Sequence, residues 1–158
     1  MDGFELMSAG VHFRQMTPED LDVVSHIEKT AYSHPWGRGH FEDSMRAGHW
    51  AQVLVGQGSE IWGYVVAMPG VEETHLLNLT VTPDRQGQGW ARWMLDALVA
   101  WSREQAAAWV WLEVRASNAR ARRLYVAHGF EHVGERKHYY PGLGRQREHA
   151  VVMRLALA

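Results

Sequence analysis

The sequence contains no cysteine. Disulfides, thiolate metal ligands, iron–sulfur clusters and a covalent thiol nucleophile are therefore excluded together. It also has no apolar run that approaches the roughly 20 residues needed to span a bilayer. The formal net charge of −2 gives no general attraction to nucleic acid. We therefore expect neither a membrane nor a direct nucleic-acid partner, and the composition is compatible with a cytoplasmic location.

The 158 residues are enough for one folded domain and too few for two ordinary ones. We expect a loose N-terminal leader over residues 1–10 and one domain over residues 11–158. Charge is distributed unevenly, because the first 80 residues carry 11 acidic and 4 basic side chains and the rest carry 7 and 12. This asymmetry indicates one cationic and one anionic partner, or only a chance clustering of solvated charges.

Hydrophobic periodicity and turn residues predict the element order β α α β β β α β α β β. Residues 17–20 are typical of a helix start, residues 51–56 and 61–68 of a hairpin, and residues 89–105 of a long helix with one apolar face. Residues 108–114 are nearly all apolar, as in a strand covered on both faces. The order predicts an α/β fold of mixed α+β type, with a mostly antiparallel sheet of about seven strands and helices on both faces.

A glycine-rich turn stands between a strand and the long helix, at residues 81–92. Its glycines let the backbone approach a ligand, and the first turn of the helix offers unpaired N–H groups that can bind phosphate. A Walker loop is excluded because Trp90 and Ala91 stand where it needs Lys and Ser or Thr, and a dinucleotide fingerprint because its third glycine is missing. The spacing of the glycines alone is compatible with both a phosphate-binding site and an ordinary turn.

The segment Gln86-Gly87-Gln88-Gly89-Trp90-Ala91 resembles the Q/R-x-x-G-x-G/A signature of the GNAT superfamily of N-acetyltransferases. The predicted element order also resembles that family over residues 11–157. The resemblance implies that this loop, with Arg92, holds the pyrophosphate of acetyl-coenzyme A (acetyl-CoA). It further implies that the preceding strand pairs its backbone with the pantetheine arm through Leu79, Thr80 and Val81. Trp90 departs from the pattern, since a smaller aliphatic residue is usual there.

A second block resembles one branch of that family, the bacterial ribosomal-protein alanine N-acetyltransferases of RimI type. It consists of Trp111-Leu112-Glu113-Val114-Arg115-Ala116-Ser117-Asn118 with Leu124-Tyr125, Gly129-Phe130 and Tyr139-Tyr140-Pro141. The resemblance implies transfer of acetyl from acetyl-CoA to the N-terminal alanine of a small-subunit ribosomal protein of the bS18 type. It also implies that Glu113 is the general base, that Tyr125 protonates the departing thiolate, and that Asn118 contacts coenzyme A.

Without the resemblance, the residues give weaker support for these catalytic and binding roles. Glu113 is the only charged residue within 108–114, and partial desolvation there predicts a raised pKa for its carboxyl group. The alternative is an ordinary glutamate at the solvent-exposed end of a strand. Asn118 and Tyr125 share one helix face, although Tyr125 is equally typical of a core aromatic. The N–H near Thr80 is a candidate oxyanion donor. Without cysteine, we expect direct attack by the amine in a ternary complex.

Three aromatic residues are candidates to hold the N-terminus of the acceptor peptide, or else pack within loops: Trp36, Tyr139 and Tyr140. No His-Glu-x-x-His motif is present, so we expect no metal. We expect a monomer or a weak dimer. Two alternatives stay open, namely a GNAT enzyme that acts on lysine or a small-molecule amine, and a non-catalytic acyl-CoA-binding module.

Overall fold

Seven strands and four helices make up the computed structural model, which describes residues 10–157. The expected leader, apart from Gly10, lies outside the described residues. The strands are β1 (His12–Gln15), β2 (Trp50–Val55), β3 (Ile61–Pro69), β4 (Glu73–Val81), β5 (Trp109–Arg115), β6 (Glu131–Pro141) and β7 (Arg147–Ala156). The helices are α1 (Leu21–Ala31), α2 (Arg38–Arg46), α3 (Trp90–Glu104) and α4 (Ala119–His128), with short 3₁₀ turns at Pro18–Asp20, Gln57–Ser59 and Pro83–Arg85.

The strand order is β1-β2-β3-β4-β5-β7-β6. Strands β4 and β5 are parallel, whereas β1 with β2, β2 with β3, β5 with β7, and β6 with β7 are antiparallel. The predicted fold class and element order are therefore confirmed. The chain forms two compact units, one up to Met68 with Asn78–Leu98, and one of Pro69–Leu77 with the chain from Val99 onward.

In the first unit, the predicted helix start is a 3₁₀ turn that leads into α1. The Asp20 carboxylate accepts hydrogen bonds from the Thr17 N–H and from the two terminal guanidinium nitrogens of Arg14, each at 2.8 Å. These bonds fix the turn to β1. One apolar cluster of this unit joins the residue before β1 to β2, β3, β4 and α3, and it consists of Val11, Leu54, Trp62, Val81, Trp90 and Met94. The same cluster anchors the beginning of α3.

In the second unit, strand β5 alternates between buried and half-buried residues, as the two-residue period of a strand requires. Val110, Leu112 and Val114 are buried, and the other face is only half-buried. The prediction that both faces are covered is therefore wrong for this second face, where the Arg154 guanidinium lies 4.1 Å from the Trp109 ring centre. Helix α4 ends at Gly129, which adopts a left-handed φ of 110°.

Candidate active site

The glycine-rich turn is held by a side chain, while its backbone at Gly89 faces open space. The Gln86 amide donates to the Val81 carbonyl oxygen at 3.0 Å. Gly87 and Gly89 have φ values of 77° and 90°, and a Cβ added at Gly89 would meet nothing within 4 Å. The Trp93 N–H bonds to the Gly89 carbonyl at 3.1 Å, so the preceding amides of α3 lie before the intrahelical ladder. These features fit an anionic ligand.

The indole of Trp90 points into the core rather than over the turn. The side chain is only 4 % exposed, and its ring centre lies 5.3 Å from that of Trp62. Its Nε1–H donates to the Gln88 amide oxygen at 3.1 Å. What this residue presents to a ligand is therefore its backbone N–H. The diphosphate contacts of Gly87, Ala91 and Arg92 stay predictions.

The end of β4 that carries Leu79, Thr80 and Val81 is fixed by a polar network which sequence reasoning missed. The hydroxyls of Tyr32 and Thr80 lie 2.7 Å apart. The Tyr32 hydroxyl also donates a hydrogen bond to the Leu79 carbonyl oxygen at 3.2 Å. The Thr80 hydroxyl donates to the Asn78 amide oxygen at 2.7 Å. Burial raises the pKa of Tyr32 to about 12, so this phenol stays protonated at neutral pH.

A buried carboxylate, Glu28 of α1, organises the rest of that network. It accepts hydrogen bonds from the Tyr64 hydroxyl at 2.7 Å, the Asn78 amide at 3.1 Å and the Trp36 backbone N–H at 2.9 Å. The Trp36 ring lies 5.2 Å from that of Phe41. The contacts of Trp36 are thus those of loop packing, and its role toward a peptide stays a prediction.

In the second unit, Glu113 lies within a group of charged side chains. Its carboxylate is 10 % exposed; Oε2 lies 2.5 Å from His75 Nε2, and Oε1 lies 3.3 Å from Arg136 Nε. Burial raises the pKa of Glu113, but the hydrogen bond from His75 and the charges of His75 and Arg136 together lower it below its usual value. The predicted net rise of this pKa is therefore wrong. Glu113 is a carboxylate at neutral pH.

The hairpin of β6 and β7 brings both candidate tyrosines into the same group. Arg136, which pairs with Glu113, also lies 5.3 Å from the Tyr139 ring centre. Tyr140 is held by Arg115, whose guanidinium lies 4.6 Å from its ring centre and donates to the Pro141 carbonyl at 2.7 Å. Burial, with a further contribution from the negative charge of Glu113, raises the pKa of Tyr140 to about 12.

Asn118 and Tyr125 occupy structural positions on α4. Asn118 is the residue that caps the helix, and its side-chain oxygen accepts the Ala121 N–H at 3.1 Å. Tyr125 is buried, with its ring centre 5.5 Å from that of Phe130. These surroundings agree with the alternative of a core aromatic for Tyr125. The roles of Asn118 toward coenzyme A and of Tyr125 as an acid stay predictions.

Comparison with known proteins identifies the family. Residues 21–130 match the acetyltransferase (GNAT) family. The chain belongs to this family. Among its relatives, the [ribosomal protein bS18]-alanine N-acetyltransferases of Haemophilus ducreyi and Escherichia coli K12 are 33% and 34% identical over 139 residues. Those alignments cover 88% of this chain in both cases, and 95% and 93% of the two relatives.

Two solved structures agree with the assignment. The crystal structure of the ribosomal-protein-S18-alanine N-acetyltransferase from Escherichia coli has a TM-score of 0.85 and 32% identity, and covers 94% of each chain. The structure of Ard1 from Thermoplasma volcanium has a TM-score of 0.84 and 25% identity, and covers 94% of this chain and 98% of that one. The expected family, fold and class of enzyme, an acyltransferase, are confirmed.

Two partners of Glu113 in this GNAT enzyme, His75 and Arg136, were not predicted from the sequence. The parallel register sets His75 opposite Trp111, two residues before Glu113 on the same face of β5. The sequence predicts how side chains alternate between the two faces of each strand, but it does not predict the register between the strands. Within residues 10–157, no three His, Asp or Glu side chains form a group suited to a metal ion, and no helix is long and apolar enough to cross a membrane.

Proposed function

We propose that this GNAT enzyme transfers acetyl from acetyl-CoA to the N-terminal alanine of a ribosomal protein of the bS18 type. The observation that carries the proposal is the Glu113 carboxylate, which His75 and Arg136 keep deprotonated in a group that includes Tyr139 and Tyr140. The substrate follows the names of the two relatives that align over 88% of this chain.

Acetyl-CoA supplies an acetyl group activated as a thioester. The open space at Gly89, the positive φ of Gly87 and Gly89, and the first amides of α3, which precede its intrahelical hydrogen bonds, support a diphosphate-binding role for residues 86–92, including Gln88, Trp90 and Arg92. Leu79, Thr80 and Val81 supply backbone groups to the pantetheine arm, and the Thr80 N–H is the proposed oxyanion donor. Asn118 contacts coenzyme A through its side-chain amide.

The acceptor amine has to lose a proton, because an α-amino group has a pKa of about 8 and is mostly ammonium at pH 7. Glu113 is part of the general base that removes this proton. Tyr125 returns a proton to the departing thiolate. Trp36, Tyr139 and Tyr140 hold the peptide N-terminus.

The amine attacks directly in a ternary complex, within one domain over residues 11–158. We place the enzyme in the cytoplasm as a monomer or weak dimer, without a nucleic-acid or membrane partner.

A panel of acceptors tests this proposal. The purified protein is incubated with radiolabelled acetyl-CoA and three peptides: one with a free N-terminal alanine, the same peptide with a blocked N-terminus, and a blocked peptide that carries lysine. We expect label only in the first peptide, and strong loss of label with Glu113→Gln. Label in the lysine peptide would instead establish a side-chain enzyme, and acetyl-CoA binding with no acceptor labelled would establish an acyl-CoA-binding module.

A matching experiment addresses the cellular target. Mass spectra of ribosomal proteins are compared between cells with and without this chain. We expect one small-subunit protein to be about 42 Da lighter in the cells without this chain, because acetylation adds a net C2H2O to the N-terminal amine. An unchanged set of ribosomal proteins would contradict the assigned substrate while leaving the acetyltransferase reaction to the peptide panel.

A further inference from the structure

His75 is the more accessible member of the pair that it forms with Glu113. Its side chain is 26% exposed, whereas that of Glu113 is 10% exposed. Its Nε2 lies 2.5 Å from Glu113 Oε2, and its Nδ1 makes no hydrogen bond to another residue in the described part of the chain. One ring nitrogen is therefore engaged by a carboxylate, and the other is available to a ligand or water.

A carboxylate beside an imidazole fixes which ring nitrogen carries the proton. Because Glu113 is a carboxylate, it accepts from Nε2–H, and the neutral ring then has its lone pair on Nδ1. When such a ring takes a second proton, the carboxylate stabilises the imidazolium without becoming protonated itself. Glu113 alone is poorly suited to take a proton from an ammonium group, since its neighbours lower its pKa. Histidine, by contrast, is the side chain that ordinarily changes charge between pH 5 and 8.

We propose that His75 is a further catalytic residue whose Nδ1 takes the proton from the acceptor ammonium, while Glu113 holds the ring and stabilises the imidazolium. This inference rests on the proposed function. An N–H bond of the ammonium breaks and an Nδ1–H bond forms. The free amine then forms the C–N bond as the C–S bond of the thioester breaks. Tyr125 gives a proton to the departing thiolate, and the second proton that the nitrogen loses restores the Tyr125 hydroxyl. The imidazolium releases its proton to water.

The charged groups around the pair come from four strands of the second unit. Glu73 lies on the same face of β4 as His75, and Glu113 lies on β5. Arg136 and Tyr140 lie on β6, and Arg154 of β7 covers the rings of Trp109 and Trp111. Arg136 binds the other oxygen of Glu113, Oε1, so Oε2 is the oxygen that accepts the hydrogen bond from His75 Nε2–H.

The test uses His75→Gln, because a glutamine amide keeps an N–H donor for Glu113 but does not take a proton near neutral pH. We measure kcat/KM against pH with the alanine peptide, and the Kd for acetyl-CoA by calorimetry. We expect a loss of about 100-fold or more in kcat/KM, disappearance of the acid limb of the wild-type profile, and an unchanged Kd. His12→Gln, on exposed β1, is the control and retains the wild-type profile.

A second readout needs no acceptor peptide. Nitrogen-15 NMR of the free protein reports the tautomer of His75, and we expect Nε2–H with an unprotonated Nδ1. An Nδ1–H tautomer, or a His75→Gln enzyme with wild-type kcat/KM and the same acid limb, would overturn the inference. A wild-type protein that acetylates no N-terminal peptide would count against the proposed function instead, and the NMR result would still decide the tautomer on which this inference depends.

Discussion

Tyr64 donates a 2.7 Å hydrogen bond to Glu28, a carboxylate that is only 2% exposed. Replacing Tyr64 with Phe leaves one lone pair of a buried charged group without its partner. We expect the free energy of unfolding to fall by about 1–3 kcal/mol, as measured by urea denaturation. Tyr139→Phe is the control, because Tyr139 is exposed, and it should change stability little. Equal stability of Tyr64→Phe and wild type would show that this hydrogen bond contributes little to folding.

Gly63 of β3 is required by a close approach of two strands. A Cβ at this position would lie 2.5 Å from the Thr80 carbonyl oxygen and 3.1 Å from Met94 Cε. Since the nearer atom is backbone, β4 has to shift, and we expect Gly63→Ala to cost about 1–3 kcal/mol of stability. At Gly39 of α2 a Cβ would meet nothing within 4 Å, so Gly39→Ala should leave stability unchanged or raise it. Thermal unfolding of the two variants compares them directly; similar melting temperatures would contradict the steric argument.

The Arg14–Asp20 pair predicts a specific loss of stability in acid. The hydrogen bond from Arg14 lowers the pKa of Asp20 in the folded protein, although burial opposes it. A carboxyl group whose folded pKa is depressed contributes stability above its unfolded pKa of about 3.9, and loses it as the pH falls through the folded value. We expect Asp20→Asn to be less stable than wild type at pH 7, and we expect this difference to shrink as the pH falls from the unfolded pKa toward the lowered folded pKa.

Asp43 provides the matched control for this pH dependence. It pairs with Arg46 on the exposed side of α2, where an ion pair contributes little. Asp43→Asn should therefore follow the wild-type curve of unfolding free energy against pH. A difference between Asp20→Asn and wild type that is the same at pH 3 and pH 7 would mean that Asp20 acts only through neutral hydrogen bonds.

Gly89 tests the proposed diphosphate site. Its φ of 90° is a conformation that other residues rarely adopt, yet a Cβ there would meet no neighbouring atom. Gly89→Ala should therefore change the backbone rather than the packing, at a cost of about 1–3 kcal/mol, and raise the Kd for acetyl-CoA about 5-fold or more in calorimetry. Gly134→Ala in β6, where a Cβ also meets nothing, should bind normally. A Gly89→Ala protein with wild-type affinity would contradict the role of this turn.

The elements were predictable because their signals are local. The apolar face of α3, the turn residues of the β2–β3 hairpin and the glycine that ends α4 each lie within a few positions of the structure they determine. The contacts of Glu113 were not predictable in this way, because its partners come from β4 and β6. The apolar neighbours of Glu113 in the chain predict its desolvation, whereas the hydrogen bond from His75 and the charge of Arg136, which oppose the effect of desolvation on its pKa, depend on the register of the sheet.

Buried polar residues were the other gap. Glu28 lies four positions after Val24 and seven after Leu21, on the apolar face of α1, where it is buried with three donors around it. A helical period assigns residues to faces, but it does not reveal a hydrogen-bond donor supplied by Tyr64, 36 positions later. Resemblance supplied the roles of Glu113 and Tyr125 without these surroundings.

Trp90 gives the turn a property that its glycines alone would lack. Its indole is clamped between Trp62 and the Gln88 amide, so the opening residues of α3 are already ordered before any ligand arrives. At the proposed diphosphate site, binding then costs little chain entropy, and affinity is gained without an added contact. The bulky side chain that departs from the family signature thus preorganises the proposed site.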